Sequence, residues 1–544
     1  MKMRKSYNKS SNNTKFKELL KIATQGNVDA QFAVGLSYDN GVGVGKDPEK
    51  AVHWYMKAAE QGKADAQVAL GFFHSDKKDY EKAFFWFTKA AEQGNAYGQN
   101  GLGICYFDGK GVERDYEKAV YWYTRSAEQG SAASQSNLGF CYHNGVGVEK
   151  DYEKAFFWYT KSAEQGSAQG QNGLALCYND GIGVEKDYEK AFFWHTKSAE
   201  QGNDIGQNSL GGCYYYGYGV ESDHKKAVYW LTKAAKQGNV HGQYNLGLCY
   251  RDGNGVKRDY KKAFFWFTKA AEQGSVQGQN SLAICYYEGI GVKRDYEKAF
   301  FWYTKSAEQG NNAAQNGLAL CYQNGYGVER DYEKAVYWFT KSAEEGTDAA
   351  QCNLGSCYYN GRGVEKDYEK AFFWYMKAAE QGNSAGQNGL ALCYHDGHGT
   401  PKDYEKSVYW FTKAAEQGAD IAQYNLGNCY YYGEGVPKDY EKAMYWYMKA
   451  AEQGDDSAQY NLGNSYYKGE GNSKDFEKAV YWYTKSAEQG HRLAQYNLGV
   501  CYHNGHGVAK NYEKAVYWFT KSAEQGDEEA QEALKHIRSK GDYK

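Results

Sequence analysis

The chain of 544 residues contains only three prolines. Pro48 follows Asp47, where a fixed φ suits the first turn of a helix, and Pro401 and Pro437 stand between apolar-periodic segments. None interrupts a stretch with helical spacing. No run approaches the ~20 apolar residues that span a bilayer, so no membrane insertion is expected. Residues 1–14, "MKMRKSYNKSSNNT", carry no apolar core of a secretory signal and are expected to form a disordered polar tail in a cytoplasmic protein. The sequons "NKS" and "NNT" within them matter only after secretion. A charge excess is also missing. Lys and Arg total 64 against 67 Asp and Glu, a net −3, and the signs mix within phrases such as "VERDYEK". A nucleic-acid binder needs a basic stripe to displace counterions, so no nucleic acid is expected as partner.

What is present is a period. Tryptophan recurs from Trp86 to Trp518 at a constant step of 36 residues. The preceding step, Trp54 to Trp86, is 32 because "SDKKDYEK" lacks four loop residues found elsewhere. Fourteen such repeats run over residues 27–526, which marks a solenoid rather than a string of globular domains. In "NAYGQNGLGICYFDGKGVERDYEKAVYWYTRSAEQG" (95–130), Asn95 and Asp115 are helix caps. Leu102, Cys105 and Tyr106 share one face, and Ala119, Trp122, Tyr123, Ser126 and Ala127 form the stripe of a second helix. Gly109 and Gly111 serve the turn and Gly130 ends the pair. One pair cannot bury its apolar face alone, so the expected fold is all-α, with stacked neighbours sharing a core. Residues 15–26 are read as a degenerate N-terminal capping helix and 527–544 as a C-terminal capping helix and tail.

The phrase "LGICYFDGKGVERDYEKAVYWYTRSAEQG" resembles the Sel-1-like repeat, a relative of the tetratricopeptide repeat. The resemblance implies a right-handed α-α superhelix and a non-enzymatic scaffold or adaptor. Such a protein binds a peptide or partner protein along a concave groove, in signalling or protein quality control. It also keeps open two alternatives: a weak hydrolase of the β-lactam-binding type, and an exported host-interaction effector. Cysteine-rich relatives carry two cysteines per repeat; here the second position is alanine. Eleven of the twelve cysteines fill one slot, from Cys105 to Cys429 and again at Cys501, with Cys352 elsewhere. Buried thiols are the expectation, since equivalent positions lie too far apart to bridge.

No constellation of catalytic residues emerges. "GVGVGKD" (41–47) has the wrong spacing for a phosphate loop. "HDGH" (His395, His398) and "HNGH" (His503, His506) occupy slots that elsewhere hold "FDGK" or "QNGY", and one thiolate per repeat cannot complete a metal site. His195 replaces an aromatic residue in a core slot. No cofactor or metal is expected. Recognition belongs to slots that vary along a shared face. Two before the leucine the chain has Asn100, Asn172, Asn208, Asn280, Asn316 and Asn388, or Tyr244, Tyr424, Tyr460 and Tyr496. Just after the recurrent tyrosine stand Tyr215, Tyr287, Tyr359, Tyr431 and Tyr467. By resemblance to tetratricopeptide arrays these face the groove, as partner-binding residues. Tyr106-, Tyr116-, Trp122- and Tyr123-type positions are read as core.

Overall fold

The computed structural model describes the backbone of residues 2–540 and the side chains of 12–538. Among the described residues the regular elements are α-helices, thirty in chain order. Fourteen pairs of 13-residue helices run from Val28–Asn40 with Pro48–Glu60 to Arg492–Asn504 with Tyr512–Glu524. They divide into two compact units, Met1–Ser275 and Val276–Lys544, each an all-α solenoid. The opening helix is Lys2–Thr24, so helix begins well inside the stretch read as a tail. The reason lies at its docked end. Phe16 and Ala23 are buried with Val34 and Trp54, and Gly43 lies against Asn12 and Phe16 as other loop glycines lie against a second helix. The helix therefore does a second helix's work from Asn12 onward. The closing helix is Glu528–Lys540, with Ala530, Leu534 and Ile537 buried against Ala515 and Phe519; residues 541–544 of the expected tail lie outside the described residues.

The hydrophobic core runs without a break within each repeat and on into the next. One cluster joins Ala119, Tyr123 and Ala127 of the second helix Tyr116–Glu128 to Leu138 and Cys141 of the next first helix, Ala132–Asn144. Trp158, from the second helix after that, packs on its edge. The tryptophan that keeps the period is thus the contact by which each repeat grips the one before it. The eleven cysteines at the one slot are buried free thiols and Cys352 is half-buried; burial pushes the Cys141 thiol up to about 12, which suppresses the reactive thiolate. Of the aromatics read as core, only the Tyr123 type is fully enclosed. Tyr116, at the first turn of its helix, remains 37% exposed with Arg114 over its ring.

Close approach explains two glycine positions. A Cβ on Gly355 or Gly389 would come within 2.9 and 2.6 Å of the Tyr375 ring, which lies between them. In the interhelix loop Gly111 has φ +73°, and a Cβ there would collide with the carbonyl of Tyr80 in the preceding repeat. The short repeat has neither loop glycine and turns instead through Lys78 at φ 60°. Each second helix starts on a side-chain cap. Asp115 Oδ1 accepts from the Lys118 backbone N–H at 2.9 Å, and Asn511 does the same for Lys514 in the last repeat.

A glutamine ladder runs beside the core. Gln135 Nε2 donates to the Ala127 carbonyl (3.1 Å) while its Oε1 accepts from Gln165 Nε2 (2.7 Å). The same rung recurs at Gln309 with Gln279 and at Gln381 with Gln351. One repeat has Glu345 in place of the donating glutamine, and Gln315 Oε1 is left buried without a partner. An ionised carboxylate has no proton to donate. Glu345→Gln therefore raises stability by about 1 kcal/mol, the net worth of one hydrogen bond, seen as a higher urea midpoint with an unchanged slope. An unchanged midpoint would show that the rung carries no energy.

Candidate functional site

The first helices carry the slots expected to bind. Their asparagines are spent on the array itself. Asn100 Oδ1 accepts from Ser134 Oγ (2.8 Å) and Asn137 Nδ2 (3.2 Å) in the next first helix. Asn208, Asn316 and Asn388 accept from Asn245, Asn353 and Asn425 at 3.0, 3.1 and 3.2 Å. Asn172 Oδ1 meets His195 Nδ1 at 3.1 Å; burial holds that imidazole neutral, its pKa lowered to about 4. Asn280 Oδ1 is buried without a partner.

The tyrosines are half-buried and also face neighbours. Tyr244, Tyr424, Tyr460 and Tyr496 tilt against Phe267, Tyr447, Tyr483 and Phe519 of their own second helices, centroids 5.9, 6.0, 6.2 and 5.6 Å apart. The other row staples each repeat to the next loop. Asn254 Nδ2 donates to the Tyr215 hydroxyl (2.7 Å), and Tyr431 donates to Glu470 Oε2 (2.8 Å). Tyr359 and Tyr467 pair with His398 and His506 Nδ1 at 3.0 and 2.8 Å, and Tyr287 packs edge-on to Tyr326, centroids 5.8 Å apart. Hydroxyls long enough to reach a partner reach the next repeat, so these side chains set the spacing and tilt of the surface more than they offer free contacts.

The free surface on this face belongs to two other slots. Two after the leucine stand Phe72, Ile104, Phe140, Leu248, Leu392 and Val500, but Gly212, Ser356, Asn428 and Asn464 interrupt the row. At the helix end most repeats have a polar residue, such as Asp108, Asn144 or Asp396, while Tyr216 and Tyr432 project there with 66% and 64% of their surface exposed. Three cavities open between successive first helices. One of about 60 Å³ is lined by Gly212, Tyr215, Tyr216, Leu231, Asn245 and Leu248 with Cys249. Another of about 330 Å³ involves Leu392, His395, Asn428, Tyr432 and Glu434. The third, about 50 Å³, lies at Phe72 and Ile104. Gly212 itself is unlike its neighbours: a Cβ there meets nothing within 4 Å, so packing does not demand glycine. The signal was present as "GGCYYYG" and "GNCYYYG", the two places where three tyrosines follow the cysteine.

In the 330 Å³ cavity, His395 Nδ1 lies 2.7 Å from Asp396 Oδ1 and Nε2 lies 3.1 Å from Glu434 Oε2. Burial opposes the imidazolium, but the two carboxylates outweigh it and raise the His395 pKa above the ordinary value. The opposite, second-helix surface carries half-exposed rings such as Phe157 and Phe301, each beside the following tryptophan and under a lysine. That stripe recurs in nearly the same form along the chain and discriminates little between repeats. Among the described residues no group of side chains could hold a metal ion, and no helix is long and apolar enough to cross a membrane.

Comparison with known proteins agrees with the period. The Sel1 repeat matches fourteen successive segments, from residues 28–63 to 492–527. No curated protein matches the chain. Among solved structures, c5321, a protective antigen of uropathogenic Escherichia coli strains displaying an SLR fold, is 37% identical with a TM-score of 0.66, over 84% of this chain and 97% of that one. A Sel1 repeat protein from Oxalobacter formigenes is 36% identical over 55% of this chain and 87% of its own, with a TM-score of 0.43. Proteins of this kind generally mediate protein–protein interaction. The chain belongs to the Sel1 repeat family.

Proposed function

We propose that this protein is a non-enzymatic scaffold that binds an extended peptide segment of a partner along the first-helix face. One observation carries the reading: the three cavities recur at the same slots, between one first helix and the next, in both units. The cavities lie four and five repeats apart, so each suits a separate short extended segment that presents one side chain to it. Tyr216 and Tyr432, at the lips of two of them, combine apolar area with a hydroxyl at low conformational cost, which favours tyrosine at interfaces. The half-buried staples beneath hold that surface in place before any ligand arrives, which lowers the cost of binding.

The test is a random decapeptide library panned on the full chain, then on Tyr216→Asp and Tyr432→Asp. Aspartate occupies this slot in other repeats, as at Asp108 and Asp180, so folding is retained. Each variant is expected to lose at least tenfold in affinity for those selected peptides that bind its own cavity, and to keep the others. Equal affinity for all three proteins would move binding off this face.

A further inference from the structure

The cavity between Ser384–Asp396 and Asp420–Tyr432 has a chemistry the other two lack. Its wall holds His395 and Glu434, with Asp396 bonded to the far side of the same imidazole. Among the described residues, His395 is the only cation within ion-pair distance of either carboxylate. Two carboxylates therefore share at most one positive charge. In the slot of Asp396, by contrast, Asp108 has Lys110 and Asp252 has Arg251, each at 2.7 Å.

The remaining walls suit a long cationic side chain. Leu392 offers apolar surface to a methylene stem, with the buried Phe411 beneath it. Asn428 stands where most repeats have an apolar residue, and its Oδ1 is taken by the Tyr447 hydroxyl at 2.7 Å and Asn461 Nδ2 at 3.4 Å, so the acceptors on this wall come from other residues. Asn425 gives its Nδ2 to Asn388, which turns its Oδ1 into an acceptor on the wall. At the lip the Tyr432 ring, 64% exposed, presents a face on which a guanidinium can stack. A volume of about 330 Å³ is roughly ten times the ~30 Å³ share of one water, enough for a whole side chain rather than a methyl group.

We propose that this cavity is a specificity pocket for an arginine side chain of the bound peptide. The guanidinium takes the free oxygen of Glu434 and stacks on Tyr432, and the stem lies on Leu392. Arginine suits the site better than lysine because its planar fork reaches a carboxylate and an amide oxygen together and is shed more readily by water. The inference rests on the peptide-binding reading above and names one side chain that the peptide must carry.

The experiment uses the full chain and a decapeptide library with one position fixed as arginine or as citrulline, the uncharged near-isostere. The arginine series is expected to bind at least tenfold more tightly. Glu434→Gln is expected to erase that difference and leave citrulline binding unchanged. This loop slot holds Val146, Ile182 or Arg362 in other repeats, so the variant folds. Equal binding of the two series, or an arginine preference that survives Glu434→Gln, would overturn the pocket and leave the peptide groove standing. Binding of neither series, when random decapeptides do bind, overturns the pocket alone; binding of no peptide at all overturns both.

Discussion

Phe339→Ala is expected to destabilise the unit 276–544 by about 3–5 kcal/mol, the range for deleting a buried aromatic ring. Phe339 is wholly enclosed, among Ala319, Ala335, Ala350 and Leu354, with Trp374 of the following repeat on the edge. Its ring therefore closes an interface between repeats, and no other core compensates. In a linear array each repeat touches only its neighbours, so the loss appears first as faster hydrogen exchange in Tyr332–Glu344 and Asp348–Asn360. Tyr337→Ala, two residues away and 52% exposed, is the control and is expected to change stability by no more than about 0.5 kcal/mol. Similar losses from the two substitutions, measured by urea unfolding, would contradict a core that runs from each repeat into the next.

Acid is the second strong lever. Thirteen second helices start on an aspartate whose carboxyl is held below its ordinary value, chiefly by the hydrogen bonds it accepts from the lysine three residues on. A carboxyl with a lower pKa folded than unfolded contributes its full stability above the unfolded value of about 3.8. It loses that contribution as pH falls through this value toward the folded one. Each cap is exposed and weak, but the same loss repeats along both units. His195 acts in the same direction over a higher window, between the ordinary 6.5 and its lowered value of about 4, because only the unfolded chain takes up the proton easily. Asp455, raised by burial, opposes them alone among the described aspartates. The urea midpoint is therefore expected to drop modestly from pH 6.5 to 4 and steeply below 4. Replacing Asp115, Asp151 and Asp187 by asparagine, the residue that caps the last repeat at Asn511, is expected to flatten the steep part with little loss at pH 7. A midpoint independent of pH between 5 and 2 would show the caps to be passive.

The period, the helix pairs and the caps were legible in the sequence because each rests on local chemistry. Asn95 and Asp115 cap the helices they were expected to cap, and the alanine stripe at Ala119 and Ala127 is buried. What was not legible is what a side chain does one repeat away. Asn100 and Asn208 vary like ligand contacts, yet their amides are taken by the next first helix. Tyr359 and Tyr431 look like ligand contacts, yet each is paired 39 residues on, with His398 and Glu470. The glutamines that form the ladder carry no local sign of a partner thirty residues away. Tyr216 and Tyr432 are masked in the sequence by the tyrosines before them, although both rings reach the surface. Variation in a repeat array marks both recognition and compensation between neighbours, and only the contacts separate the two.

The most direct test of the binding face is hydrogen exchange of the full chain with and without a decapeptide selected from the random library. Slower exchange confined to the first helices and the loops that follow them, above all Asp204–Tyr216 and Asp420–Tyr432, is the result expected. Protection confined to second helices such as Tyr152–Glu164 and Tyr296–Glu308, where the half-exposed rings lie, would contradict it.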